Sequence, residues 1–125
     1  PAKFVFDDEG CRGEAIDSLI STGCILSGAR VKRSIVFFAN TLEKQTIVKD
    51  SVILPKVNIG SHCHIERAII DKGAVIPSGM TIGKDLELDR KRFHVTDEGI
   101  VLVTAEMLGQ KLRTGDKDSL WRLAV

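Results

Sequence analysis

The sequence predicts an all-β chain wound as a parallel β-helix, and three observations carry that prediction. A branched aliphatic residue returns every five or six positions, at Ile20, Ile25, Val31, Val36, Leu42, Ile47, Ile53, Ile59, Ile65, Ile70, Ile76 and Ile82. An amphipathic helix would repeat near about 3.6 residues and a half-buried strand near about 2, so this longer beat belongs to a solenoid of very short strands. Next, the position four after an aliphatic is mostly small or thin, as at Cys24, Ala29, Thr46, Ser51, Val57, Cys63 and Ala74, which is what a narrow prism interior admits. Finally, the residue after the aliphatic often suits a turn, as at Gly60, Asp71, Pro77 and Gly83. Read in threes, the aliphatics make about four coils of three sides, each 16 or 17 residues long. The expected hand is left, as hexapeptide-repeat chains coil, against the usual right-handed crossover preference.

In chain order, residues 1–17 read as a lead-in strand, Phe4-Val5-Phe6, and an acidic loop. Opening on Pro-Ala-Lys without an initiator methionine, the segment suggests a domain upstream. Residues 18–84 are the left-handed β-helix. Residues 85–112 form a cap: a short helix or turn in DLELDRKRF, a buried strand in GIVLVT, and a helix AEMLGQKL that Thr104 N-caps and Glu106 favours at its positive end. The cap is expected to cover the last coil's open edge, whose backbone groups would otherwise lack partners. Residues 113–125 are a tail outside the repeat, expected to be disordered. Each stacked aliphatic stabilises by roughly 1.5 to 3 kcal/mol against a backbone ordering cost of about 1 to 2 kcal/mol per residue, so single coils cannot stand alone.

The chain has 125 residues, 43% of them hydrophobic, and a formal net charge of +1, which bounds it to one domain or part of a larger protein. The longest apolar run, from Ile100 to Val103, is far short of the roughly 20 residues that span a bilayer. With no charged-then-apolar leader, a cytoplasmic location is expected, with neither membrane nor nucleic acid as partner. Three cysteines, Cys11, Cys24 and Cys63, form no C-x-x-C pair and are odd in number, which speaks against zinc and disulfide frameworks. Cys24 and Cys63 fall on thin inward positions and read as core. His62 and His64 lie two apart without a third ligand nearby, so no metal site is expected. Arg30, Lys32, Arg33, Arg67, Arg90, Lys91 and Arg92 read as a solvated charged surface.

Three stretches carry a resemblance: SLISTGCILSGARVKRSIVFF, DSVILPKVNIGSHCHIERAIIDKGAVIPSGMTIG and KRFHVTDEGIVLVTAEML. Over residues 1 to about 112 the chain resembles the carboxyl-terminal domain of bacterial ADP-glucose pyrophosphorylase, the glucose-1-phosphate adenylyltransferase family. The resemblance implies a parent that makes ADP-glucose and pyrophosphate from ATP and glucose 1-phosphate, with magnesium, for glycogen synthesis. It implies a homotetramer regulated by sugar-phosphate and nucleotide effectors. The family's glycine-rich nucleotide loop lies in an amino-terminal catalytic domain, and no such loop occurs here. This segment is therefore expected to hold no catalytic residue and no cofactor, and to be silent alone, serving oligomerisation and allosteric control. By motif match, Lys72 after Asp71 is the effector-binding residue. Where some relatives carry arginines in the terminal helix this chain has Ala105 and Gly109, with Lys111 nearby.

Two rival readings remain. A hexapeptide acyltransferase would need His62, His64 or His94 as its catalytic histidine, usually delivered by a loop interrupting the coils, and these coils run uninterrupted. The other is a purely structural assembly module.

Overall fold

A computed structural model describes residues 1–5 and 13–110, which wind around a three-sided prism. After β1 (Lys3–Val5), the first coil runs through β2 (Glu14–Ile16), β3 (Leu19–Ile20) and β4 (Ile25–Ser27). The second holds β5 (Arg30–Lys32), β6 (Ile35–Val36) and β7 (Thr41–Leu42), and the third β8 (Ile47–Lys49), β9 (Val52–Ile53) and β10 (Asn58–Ile59). The fourth holds β11 (His64–Glu66), β12 (Ala68–Ile70) and β13 (Val75–Ile76). β14 (Thr81–Ile82) opens a further turn, which the chain leaves for α1 (Leu86–Arg92), β15 (His94–Val95), β16 (Val101–Val103) and a 3-10 turn at Glu106–Leu108.

Strands stack in parallel into three faces. Face I is β1, β4, β7, β10 and β13; face II is β2, β5, β8, β11 and β14; face III is β3, β6, β9, β12 and β16, with β15 antiparallel at its edge. Three aliphatic columns fill the prism: Leu26, Leu42, Ile59 and Ile76 from face I; Val31, Val48, Ile65 and Ile82 from face II; Val36, Ile53, Ile70 and Val103 from face III. The seven thin positions, from Cys24 to Ala74, are all buried beside them. This is the left-handed parallel β-helix that the hexapeptide beat calls for.

Two members of the predicted columns need correction. Ile25 is 42% exposed and Ile47 is only half-buried, while Leu26 and Val48 beside them are fully buried. The cause is the unequal length of the corners. Between faces II and III the chain turns on one residue, Asp17, Arg33, Asp50 or Arg67, each with φ of 47° to 49°. A one-residue corner shortens the step between inward aliphatics to five, as from Val31 to Val36, and two-residue corners restore six. The thin residue stands two before the inward aliphatic, just ahead of the strand, as Cys24 does before Leu26 and Thr46 before Val48, because alternate residues of extended chain share a face.

Buried and half-buried polar side chains bind the coils together at the corners. Ser18, Ser34 and Ser51 each accept, on Oγ, the backbone N–H of the residue one coil further on, at 3.1 to 3.2 Å. Asn40 Oδ1 accepts the Val57 N–H at 2.6 Å.

The carboxyl-terminal end of the prism is closed face by face. β16 pairs with β12 and continues face III. On face I the Gln110 side-chain amide plays the part of a peptide, accepting the Val75 N–H at 2.9 Å and donating to the Val75 carbonyl at 2.7 Å. On face II, Asp89 Oδ2 accepts the Gly83 N–H at 2.8 Å and Arg92 Nη2 donates to the Thr81 carbonyl at 2.9 Å. Asp85 caps α1 by accepting the Leu88 N–H at 3.2 Å, and acids open the helix while bases close it. Of the helix expected over 105–112, the described part, 105–110, forms only the single 3-10 turn. Thr104 Oγ1 does accept the Met107 N–H, but Gly109 takes a left-handed conformation (φ 75°) and stops the turn. Residues 111–125, Lys111 and the expected tail over 113–125 among them, lie outside the described residues.

Candidate functional site

The turn between β12 and β13 carries Lys72. Ile70 pairs in register with Val103, the Asp71 N–H donates to the Val103 carbonyl at 2.8 Å, and the Lys72 N–H donates to Asp71 Oδ1 at 2.9 Å. Lys72 is half-buried at the corner between faces III and I. The same register sets Ala105 level with it on the neighbouring turn. Ala105 is buried and Gly109 is exposed without a side chain, so neither position offers a cation to a ligand at Lys72.

Face III, which ends at this corner, presents an outward column that sequence reasoning missed. Leu19, Ile35, Val52, Ile69 and Leu102 follow one another in register, one per strand. Leu19 is 68% exposed, and Ile35 and Ile69 are exposed too, with Phe37 and Phe38 beside them. A half-buried sheet ordinarily alternates apolar-in with polar-out. Here the outer side is apolar as well. The signal was legible as doublets: Leu19-Ile20, Ile35-Val36, Val52-Ile53, Ile69-Ile70 and Leu102-Val103 each hold two adjacent aliphatics, of which a strand can bury only one in the prism.

The other residues singled out in the sequence are dispersed. Cys24 and Cys63 are buried, their thiols donating to the carbonyls of Phe37 at 2.9 Å and Pro77 at 3.1 Å; Cys11 lies outside the described residues. His62 occupies an exposed corner with φ 59°, His64 lies on face II with Nε2 3.1 Å from Glu66 Oε1, and His94 is exposed on β15. Among the described residues no three His, Cys, Asp or Glu side chains converge as metal ligands. The positive-φ glycines Gly23, Gly28, Gly73 and Gly79 turn corners of the prism, and Gly83 leads from β14 to α1.

Several bases are engaged structurally. Arg33 holds Asp50 with two hydrogen bonds, 2.7 and 3.1 Å, across the corner between faces II and III. That contact raises the Arg33 pKa and lowers the Asp50 carboxyl below its usual range. Arg90 pairs with Glu87, and Arg92 reaches the fully buried Asp89 at 2.8 Å while lying 4.8 Å over the Phe93 ring.

A three-faced prism of stacked hexapeptide coils defines a class of protein, the left-handed parallel β-helical domain. The chain belongs to the GlmU-like carboxyl-terminal hexapeptide family, whose model matches residues 1–103. It is 69% identical over 112 residues to a glucose-1-phosphate adenylyltransferase of Thiobacillus denitrificans, covering 90% of this chain and 26% of that protein. It is 60% identical over 113 residues to the protein of that name from Hydrogenovibrio crunogenus, and 57% identical over 113 residues to that from Nitrosococcus oceani, each time covering 90% of this chain and 27% of the relative. The chain thus spans about a quarter of the length of these relatives. Among the described residues no helix is long and apolar enough to cross a membrane.

Proposed function

We propose that this chain is the carboxyl-terminal assembly and regulatory domain of a cytoplasmic glucose-1-phosphate adenylyltransferase, and that adenylyl transfer from ATP to glucose 1-phosphate, with magnesium, takes place in an amino-terminal catalytic domain of the same protein. The observation that carries this reading is the outward aliphatic column on face III. An exposed apolar face of this kind is unfavourable in water and marks an interaction surface. We assign the catalytic domain as its occupant. A small face suffices for a covalently tethered partner, because the tether supplies a high effective concentration. The homotetramer implied by the family resemblance would then be built on the faces and ends left over.

Lys72 supports a regulatory role because it stands at the rim of that column, three residues after Ile69 and at the face III corner. A domain docked on face III brings its own cations to the same seam, and a phosphate needs several to be held against water. Ala105 and Gly109 supply none, so the effector's remaining cations come from the docked domain.

The test uses the full-length enzyme and this chain in parallel. Ile35→Lys combined with Ile69→Lys should leave the melting temperature of the 125-residue chain unchanged, because both side chains point outward, yet loosen the full-length protein and expose the domain junction to protease. A full-length double variant that melts and digests like wild type removes face III as the docking surface. Lys72→Ala should blunt activation by a sugar phosphate such as fructose 1,6-bisphosphate while leaving basal turnover intact, and an unchanged activation curve removes Lys72 from the effector site. The 125-residue chain by itself should release no pyrophosphate from ATP and glucose 1-phosphate.

A further inference from the structure

Face II carries a shallow cavity of about 380 Å³ lined by Glu14, Ile16, Arg30, Val31, Lys32, Ile47, Lys49 and His64. It lies on the side of the prism opposite the corner that bears Lys72. The register explains its composition. One outward column runs Glu14, Arg30, Ile47, His64, and the other runs Ile16, Lys32, Lys49, Glu66. Lys32 and Lys49 are thus direct neighbours on adjacent strands, about 4.8 Å apart at the backbone. Like charges directly opposite one another in a sheet are destabilising.

The carboxylates nearby relieve this arrangement only in part, on the Lys49 and Arg30 sides. Glu66 is shared among His64 at 3.1 Å, Lys49 at 3.8 Å and Arg67 at 3.9 Å. Glu14 is taken by Arg30 at 3.2 Å. No carboxylate among the described residues pairs with Lys32, whose other neighbour in the column is Ile16. Arg30, Lys32, Lys49 and the Glu14 carboxylate therefore line a concave surface whose outward apolar side chains are Ile16 and Ile47, with Val31 turned into the prism between them.

We propose that this groove is a second anion site, independent of Lys72 and of any docked domain, which takes the phosphate group of a small molecule. The phosphate lies between the Lys32 and Lys49 ammonium groups with Arg30 at its side. An anion there turns the repulsion between stacked lysines into two charge-assisted contacts. Inorganic phosphate and a phosphate monoester share this chemistry. The isoleucine walls would add affinity only for an ester with an apolar substituent.

The experiment titrates the isotope-labelled 125-residue chain with inorganic phosphate and, separately, with phenyl phosphate, following backbone amides by NMR at constant ionic strength set with chloride. Saturable shifts are expected at Arg30, Val31 and Lys32 and at Ile47, Val48 and Lys49. Lys32→Gln should raise the Kd about tenfold, the worth of one charge-assisted hydrogen bond, while Lys72→Gln leaves these shifts as in wild type. Tighter binding of phenyl phosphate assigns the site to an ester, and equal affinity assigns it to free phosphate. Shifts that chloride reproduces, shifts confined to the Lys72 turn, or a Lys32→Gln chain that titrates like wild type would each overturn the site. Because the chain is tested without a partner domain, a failure of the docking reading does not touch this result.

Discussion

Ile25 and Leu26 are adjacent, similar in size and opposite in fate, and they show how little chemistry separates surface from core in this prism. Leu26 is fully buried in the face I column, whereas Ile25 points outward and is 42% exposed. Leu26→Ala should therefore cost about 2 to 5 kcal/mol, the transfer term plus an unfilled cavity. Ile25→Ala should stay within about 1 kcal/mol. Paired denaturant melts decide it, and equal losses would restore the sequence-based register. Gly83 is a second position where one atom matters. Its φ is +92°, and a Cβ there would lie 1.9 Å from the Glu66 carbonyl oxygen, so the strand–cap junction excludes any side chain.

The elements at the carboxyl-terminal end solve one problem in three ways, since each face leaves a final strand with unpaired backbone groups. Face III receives another strand, face I receives the amide of Gln110, and face II receives Asp89 and Arg92 from α1. Gln110→Leu removes both bonds to Val75. Because they are partly exposed to water, the loss should be about 1 to 2 kcal/mol rather than the full cost of burying unpaired groups. Hydrogen exchange should report it as faster exchange of the Val75 amide with β8 and β9 unaffected. Asp89 carries more, as it is fully buried, joins α1 to Gly83 and pairs with Arg92 one turn on in the same helix. The strand in 99–104 and a short helix or turn within 85–93 were legible from their apolar residues. The role of Gln110 was not, because nothing in a sequence says which side chain will reach a strand 35 positions away.

Across the whole molecule, charge is arranged along the corners and faces of the prism. Hydrogen bonding from His64, aided by Lys49, lowers the Glu66 carboxyl below its usual range, as the Arg33 hydrogen bonds do for Asp50. A carboxylate whose pKa is lower folded than unfolded stabilises fully above the unfolded value, about 4.3 for Glu and 3.9 for Asp, and loses that contribution as pH falls through the folded value. The melting temperature should accordingly hold from neutrality to about pH 5 and fall below about pH 4. Glu66→Gln should start lower at neutral pH and fall less on acidification. Melts from about pH 2 to 7 on both proteins test this, and parallel curves would show that Glu66 contributes nothing to the acid limb.

The class of fold was determined by the sequence alone, because a beat of five to six residues with thin residues between has no other compact solution, and each coil repeats the same local rule. The chain's kinship was likewise readable from its segments. The tertiary structure decided which of two adjacent aliphatics turned inward, since that depends on whether a corner spends one residue or two. It also decided what the outer faces became. Leu19, Ile35, Val52, Ile69 and Leu102, or Lys32 and Lys49, are far apart in sequence and adjacent only in register. Stacking coils of 16 or 17 residues turns such separations into neighbours about 4.8 Å apart, and that is where an apolar face and a cationic groove arise.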